Sequence, residues 1–222
     1  MAIRVYIERG PKRAFACAIE WPGWCRSGRD EDAALDALLR SVPRFARAVR
    51  AARLPFTPPK DVSGFEVVAR VRGDATTDFG APGATPAFDT EPLEGTDMRR
   101  AQALLRASWR AFDAAARKAK GKSLARGPRG GGRTLDKIVE HVVEADRGYV
   151  GALGWKVDAG AGSAGRLEAT RSAMLDAIAA SARGEIPARG PRGGVRWRPR
   201  KAVRRSAWHW LDHAWEIEDR IT

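Results

Sequence analysis

Trp208-His209-Trp210-Leu211-Asp212-His213-Ala214-Trp215 is the stretch on which the reading of this chain turns. Two histidines four residues apart on a helix lie one turn apart on the same face. The chain contains three histidines, and the third, His141, falls in another helix-like segment. So sparing a use of histidine, with two of the three at chelating spacing, points to a metal site built from three imidazoles.

Working outward, residues 96–222 carry four helical patterns. The last begins near Pro199, a favoured first-turn residue, and its stripe is Val203, Ala207, Trp210, Ala214, Ile217 and Ile221. The first starts at Thr96 or Asp97 and repeats through Met98, Ala101, Leu105, Trp109, Phe112 and Ala116. The second follows Thr134, with Leu135, Ile138, Val142, Ala145, Tyr149 and Leu153 inward and Gly154 at its end. The third carries Leu167, Thr170, Met174, Ile178 and Ala182, with Gly184 as its stop. Four amphipathic helices joined by Gly/Pro-rich loops predict a four-helix bundle.

In such a bundle His209 and His213 border the apolar seam, and His141 shares a stripe with Ile138, Ala145, Gly148 and Ala152, whose small residues leave room for the imidazole. Three protein ligands with an open fourth position is the catalytic arrangement, whereas closed four-ligand sites are structural. A zinc-protease helix needs Glu directly after its first histidine; Trp210 stands there. Glu144, Asp146, Asp212 and Glu216 lie close in sequence to the ligands, either as acceptors for imidazole N–H groups or as solvated carboxylates. Buried neutral histidines bonded to backbone or carboxylate are the alternative reading of the trio.

The segments His141-Val142-Val143-Glu144-Ala145-Asp146 and Trp208–Ile217 resemble the DinB/YfiT-type metal-binding four-helix bundles, in which a second-helix histidine joins a fourth-helix HxxxH. The resemblance covers residues 96–222. It implies a divalent metal ion (zinc, nickel or iron) on His141, His209 and His213, and a family that includes transferases and isomerases using low-molecular-weight thiols such as mycothiol or bacillithiol. A thiol at the open position would be ionised by the metal and attack an electrophilic substrate; a bound water activated for hydrolysis is the other chemistry. No cysteine of the chain lies in this part to act as a nucleophile.

One loop occurs twice. Ala125-Arg126-Gly127-Pro128-Arg129-Gly130-Gly131 returns as Ala188-Arg189-Gly190-Pro191-Arg192-Gly193-Gly194, each copy ahead of a histidine-bearing helix. If the helices simply alternate up and down, both loops sit at one end, and Arg129 and Arg192 rim the metal as an anion-binding pair. A crossover between the second and third helices puts them at opposite ends.

Residues 1–72 read as a small β-β-β-α-β domain, so the whole chain is α+β. Ile3, Val5 and Ile7 alternate with Arg4, Tyr6 and Glu8 as in a half-buried strand. A second strand runs from Phe15 to Trp21, Pro22-Gly23 breaks it, and a short third strand holds Cys25. Asp30 opens a helix, Pro43 interrupts it, and Phe65–Val71 closes the unit. The run Ala16–Ala33, with Pro22, Gly23, Gly28 and the acidic cluster before Ala33, resembles the HicB-type antitoxin module; the separate DNA-binding domain with which that family pairs it has no counterpart here. Residues 73–95, rich in Thr, Gly, Pro and Asp, predict a linker or an ordered arm anchored by Phe79, Phe88 and Leu93.

The 222 residues are 44% hydrophobic and 30% charged, which fits a globular domain or two. No apolar run approaches a membrane span and the charged N-terminal pattern is not that of a signal peptide, so a cytoplasmic protein is expected. Cys17 and Cys25, with no CxxC, read as two small buried thiols in a reducing compartment. The net charge of +13 comes from arginines spread over both halves: a solvated basic surface, a phosphate-binding face or attraction for an anionic substrate. Three functions remain open: a metal-dependent thiol transferase or isomerase with a small thiol and electrophilic substrate as partners, a non-catalytic ligand- or partner-binding protein with a metal-stabilised bundle, and a nucleic-acid-binding protein. A homodimer is open under each.

Overall fold

The computed structural model describes residues 2–126, 132–158 and 162–222. The fold is α+β: a four-stranded mixed sheet followed by long helices. Strands β1 (Ile3–Arg9), β2 (Ala14–Ala18), β3 (Cys25–Gly28) and β4 (Phe65–Arg72) lie in the order β3-β2-β1-β4. The first three form an antiparallel meander, and β4 returns parallel to β1. Between them run α1 (Glu31–Arg40) and α2 (Val42–Val49). Asp30 caps α1 by accepting from the Ala33 N–H at 2.9 Å. Pro43 falls in the first turn of α2, where its missing N–H costs nothing.

The sheet is covered on both faces, which departs from a half-buried β1. Val5, Ile7, Ala14, Ala16 and Ala18 join Trp24, Leu38, Phe45 and Phe65 in the main core. Tyr6, Phe15, Cys17 and Cys25 meet Ala81, Phe88 and Trp208 on the other side. The second cover is the stretch 73–95, an ordered arm that contains α3 (Ala75–Phe79). Leu93 is buried and Phe88 half-buried, but Phe79, expected as an anchor, is exposed. The arm also explains how Glu8 is buried. Its carboxylate accepts from the Thr77 hydroxyl (2.6 Å) and the backbone N–H groups of Gly83 (2.8 Å) and Ala84 (3.1 Å).

Cys17 and Cys25 face each other across β2 and β3 and are joined by a disulfide. This corrects the expectation of two free thiols. Among the described residues, no helix is long and apolar enough to cross a membrane.

Four long helices complete the chain: α4 (Gly95–Ala119), α5 (Leu135–Leu153), α6 (Gly162–Ala182) and α7 (Pro199–Arg220). Thr134 caps α5, and Gly154 closes it in the left-handed conformation. On α7, 15 of 22 residues are buried, so it is packed all round rather than along one stripe. Trp210 meets Phe112 of α4 edge-on at 4.9 Å. Trp208 meets Phe15 of the sheet at 6.2 Å. The β2–β3 turn lies so close to α7 that a Cβ on Gly23 (φ +95°) would fall 2.9 Å from Leu211. Arg44 of α2 bonds Glu218 at 2.8 Å and Arg26 bonds Asp212 at 2.9 Å, both guanidinium groups lying over Trp215. The N-terminal layer and the long helices therefore share one core.

Helix directions follow from contacts at the ends. Arg200 pairs with Asp97 at the starts of α7 and α4, and Leu124 bridges to Ile221 past their ends, so these two helices are parallel. The Trp197 N–H donates to the Ala152 carbonyl, and Arg220 donates to the Arg133 carbonyl, so α5 is antiparallel to α7. Simple alternation would make them parallel.

Arg204, inside α7, is buried and pairs with buried Asp89 of the arm and the Tyr6 hydroxyl. Removing one partner strands an unneutralised buried charge, a loss of roughly 3–5 kcal/mol. Asp89→Ala should lower urea-unfolding stability by about that amount, whereas Asp212→Ala, which breaks a half-exposed pair, should cost under ~1 kcal/mol. Equal effects of the two substitutions would show that the buried pair is not what fastens the arm to α7.

Candidate metal centre

The antiparallel crossing of α5 and α7 brings the three histidines together. His141 stands near the start of α5 and His209 and His213 in the second half of α7. Their ring centroids are 5.1 Å (141–209), 4.9 Å (141–213) and 4.6 Å (209–213) apart. One nitrogen from each lies within 4.8 Å of the others, and no other trio of His, Cys, Asp or Glu among the described residues does this. His209 and His213 are buried and His141 is half-buried, so the trio opens to solvent on the His141 side.

Two of the nitrogens already stand at ligand spacing. His209 Nε2 and His213 Nε2 are 3.2 Å apart. Two metal–nitrogen bonds of ~2.0–2.1 Å at a tetrahedral angle set nitrogens ~3.3 Å apart. The hydrogen bonds around them bear on the tautomers. Glu216 lies 2.6 Å from His213 Nδ1, so that nitrogen carries a proton, and in the neutral ring Nε2 presents a lone pair. His209 Nδ1 is buried without a hydrogen-bond partner. If Nδ1 holds the proton of His209, two Nε2 lone pairs face each other, an arrangement that a cation between them relieves. If Nε2 holds it, the two rings hydrogen-bond and a buried acceptor stays unsatisfied. In both cases the donor set fits a cation of the kind imidazoles bind.

Electrostatics favours the neutral form of His141 and of His209. Burial, then His213 and Arg133, pull His141 down to about 4, against a smaller opposing pull from Glu216. Burial, with His213 and His141, holds His209 well below the usual imidazole range. The His213 hydrogen bond, helped by Arg220, lowers Glu216 to about 2, so it is a carboxylate at neutral pH. Arg220 bonds the same carboxylate at 2.6 Å and the Ala125 carbonyl at 2.8 Å, tying the loop before α5 to this end of α7.

The other residues singled out by sequence go elsewhere. Glu144 is exposed and lies 3.7 Å from Arg147. Asp212 turns to Arg26. Asp146 is fully buried, but its hydrogen bonds come from Ser206 (2.9 Å) and Trp210 (2.6 Å), not from an imidazole. Of the four carboxylates, Glu216 is the one that meets a histidine. Arg129 lies outside the described residues. Arg192 is exposed in a loop at the opposite end: that loop bonds through Ala188 to Arg196, whose side chain packs on Gly154, and α7 then runs roughly 20 Å from Pro199 to His213. Arg192 therefore lies away from the histidines, because α5 and α7 are antiparallel.

Arg133 and Tyr149 belong to the site's surroundings and were not singled out for it. Arg133 acts on His141 and His209 through its charge. Tyr149 is stacked on Trp197 with its ring 6.0 Å from that of His209. The available signal for Tyr149 was its place two turns after His141 on α5. Comparison with protein-family models, with curated proteins and with solved structures finds no match to the chain.

Burial raises Asp146 from 3.8 to about 7, against the opposing effect of its Trp210 and Ser206 hydrogen bonds. Between pH ~4 and ~7 the folded protein then keeps a proton that the unfolded chain has lost. Stability falls as pH rises through that window, by at most ~1.4 kcal/mol per unit. His141 has the opposite sign: it is depressed from 6.5 to about 4, and stability is lost as pH falls through that range. Asp146→Asn removes only the first slope. In chelator, the stability of the variant relative to wild type should climb from pH 4 to 7 and then level off. Parallel profiles by urea unfolding at each pH would mean that Asp146 ionises normally in the fold.

Proposed function

We propose that this chain is a metal-dependent enzyme of the DinB type, in which His141, His209 and His213 hold one divalent ion (zinc, nickel or iron) inside a four-helix bundle formed by α4–α7. The observation that carries this reading is the convergence of three imidazole nitrogens within 4.8 Å from two antiparallel helices. The parts of the sequence that resemble that family are the parts that meet. Supporting it further, His141 and His209 are held neutral, the state in which imidazole is a ligand.

The ion's contribution would be Lewis acidity, which stabilises the anion of a small thiol or of water at neutral pH. The protein's residues supply the rest. Glu216 fixes the His213 ring by accepting from Nδ1, and Arg220 holds Glu216 in place. Arg133 places positive charge beside His141, the accessible member of the trio, which suits an anionic thiol or an anionic electrophile approaching from that side. Buried Trp208 lies beside His209, ring to ring at 6.0 Å, and shields that side of it from water. The HicB-like front module serves here as a buttress: its contacts with Leu211, Asp212, Trp215 and Glu218 brace the half of α7 that bears the histidines.

The test is metal stoichiometry followed by a spectroscopic search for thiol ligation. Untagged protein reconstituted with Co(II) should bind one ion per chain and show tetrahedral d–d bands. His141→Ala, His209→Ala and His213→Ala should each weaken binding at least tenfold. Adding a small thiol should produce a sulfur-to-cobalt charge-transfer band in the near ultraviolet. Binding undiminished in all three variants defeats the metal reading. One ion bound with no thiol band, and no thiol-dependent turnover, favours instead a metal-stabilised scaffold.

A further inference from the structure

A second site lies at the far end of α7 from the histidines. A cavity of about 470 Å³ opens where the sheet, the arm and the starts of α4 and α7 meet. That volume is in the range of small-molecule sites, and such junctions are where they usually occur. Its apolar surface includes Ile19, Val68, Phe88, Leu93, Leu104 and Val203. Val68, on the edge strand β4, is 43% exposed. No histidine lines the cavity, and the lining residue of α7 nearest to them in sequence is Arg204.

Four arginines reach this cavity, and three are already neutralised. Arg4 pairs with Glu20, Arg200 with Asp97 and Arg204 with Asp89. Arg100 forms no ion pair among the described residues, although Glu20 and Asp97, each paired with another arginine, are near enough to act on its charge. Its Nε and one terminal nitrogen both donate to the Glu20 carbonyl, at 3.1 and 3.0 Å, and its guanidinium lies 4.1 Å over the Trp21 ring. The other terminal nitrogen has no hydrogen bond among the described residues. The Trp21 face and the carbonyl fix the plane of the fork, leaving one edge for an incoming acceptor. Four carboxylates also line the cavity, Glu20, Asp89 and Asp97 paired with the other three arginines and Glu91 exposed, and they disfavour a second negative charge on a ligand.

We propose that this cavity binds a small amphipathic monoanion, an apolar chain or ring ending in a single carboxylate, with the carboxylate on Arg100 and the apolar body between Phe88, Leu104 and Val68. The site is independent of the metal centre.

Calorimetric titration with octanoate, and with 1-octanol as a neutral isostere, tests this on the full chain. Octanoate should saturate at one per chain. Arg100→Gln should weaken octanoate at least tenfold and leave octanol within about twofold. Val68→Trp, which narrows the cavity from an exposed strand position, should weaken both, and it keeps the location testable should R100Q lose its fold. Stripping metal with a chelator should leave octanoate affinity unchanged. The proposal is overturned by an absence of saturable octanoate binding, by equal losses for both ligands in R100Q, by unaltered binding in V68W, or by loss of binding on chelation, which would place octanoate at the histidines.

Discussion

Every face of α7 is occupied: the sheet and its β2–β3 turn on one side, the arm on another, and α4, α5 and α6 on the rest. The polar groups on its buried positions are cut off from water and need partners inside. Arg204 finds Asp89 and Tyr6, Ser206 finds Asp146, and Arg220 finds Glu216 and two carbonyls. Trp210 donates to Asp146. Against that background the two histidines stand out. His213 is bonded on its Nδ1 side, yet the facing Nε2 atoms have only each other and His209 Nδ1 has nothing. Trp208 Nε1 on the same helix is also buried without a partner, but the histidines are the place where three imidazole rings converge on one point.

Local signals were legible in the sequence. Helix limits at Asp30, Thr134, Gly154 and Pro199 depend on residues that act within one turn, and the structure uses them in those roles. The same holds for the HxxxH pair, whose geometry follows from helix pitch alone. The break at Pro22-Gly23 and the alternation in β1 and β2 gave the chain order of the strands, but not their order or pairing in the sheet.

What failed depended on contacts distant in sequence. Glu8 reads as the solvent side of a strand because its alternation with Ile7 is regular. Its burial depends on Thr77, Gly83 and Ala84, roughly seventy residues away, in an arm whose composition has no period to read. Cys17 and Cys25 are eight residues apart, and only the β2–β3 register sets them opposite each other. Asp212 and Glu216 are both carboxylates one turn apart, and which of them meets a histidine is decided by Arg26, nearly two hundred residues earlier, drawing Asp212 away. The direction of α7 was equally hidden, since the connections before it can run either way.

The axial register between α5 and α7 is the remaining requirement for the three histidines to meet, and apolar packing alone sets it weakly. Sliding one helix by a turn, ~5.4 Å, replaces Ile and Val contacts with similar ones. It would also carry His141 out of reach of the α7 pair. Hydrogen bonds are directional and do not survive such a slip. Asp146, one to two turns beyond His141, accepts simultaneously from Ser206 and Trp210, which flank His209 on α7. A fully buried carboxyl is expensive, and an apolar residue there would pack at lower cost. Its value lies in fixing which turn of α5 faces which turn of α7. The carboxyl that sequence spacing suggested as an imidazole partner thus acts on the histidines through the backbone, by holding their two helices at the offset that lets three rings meet.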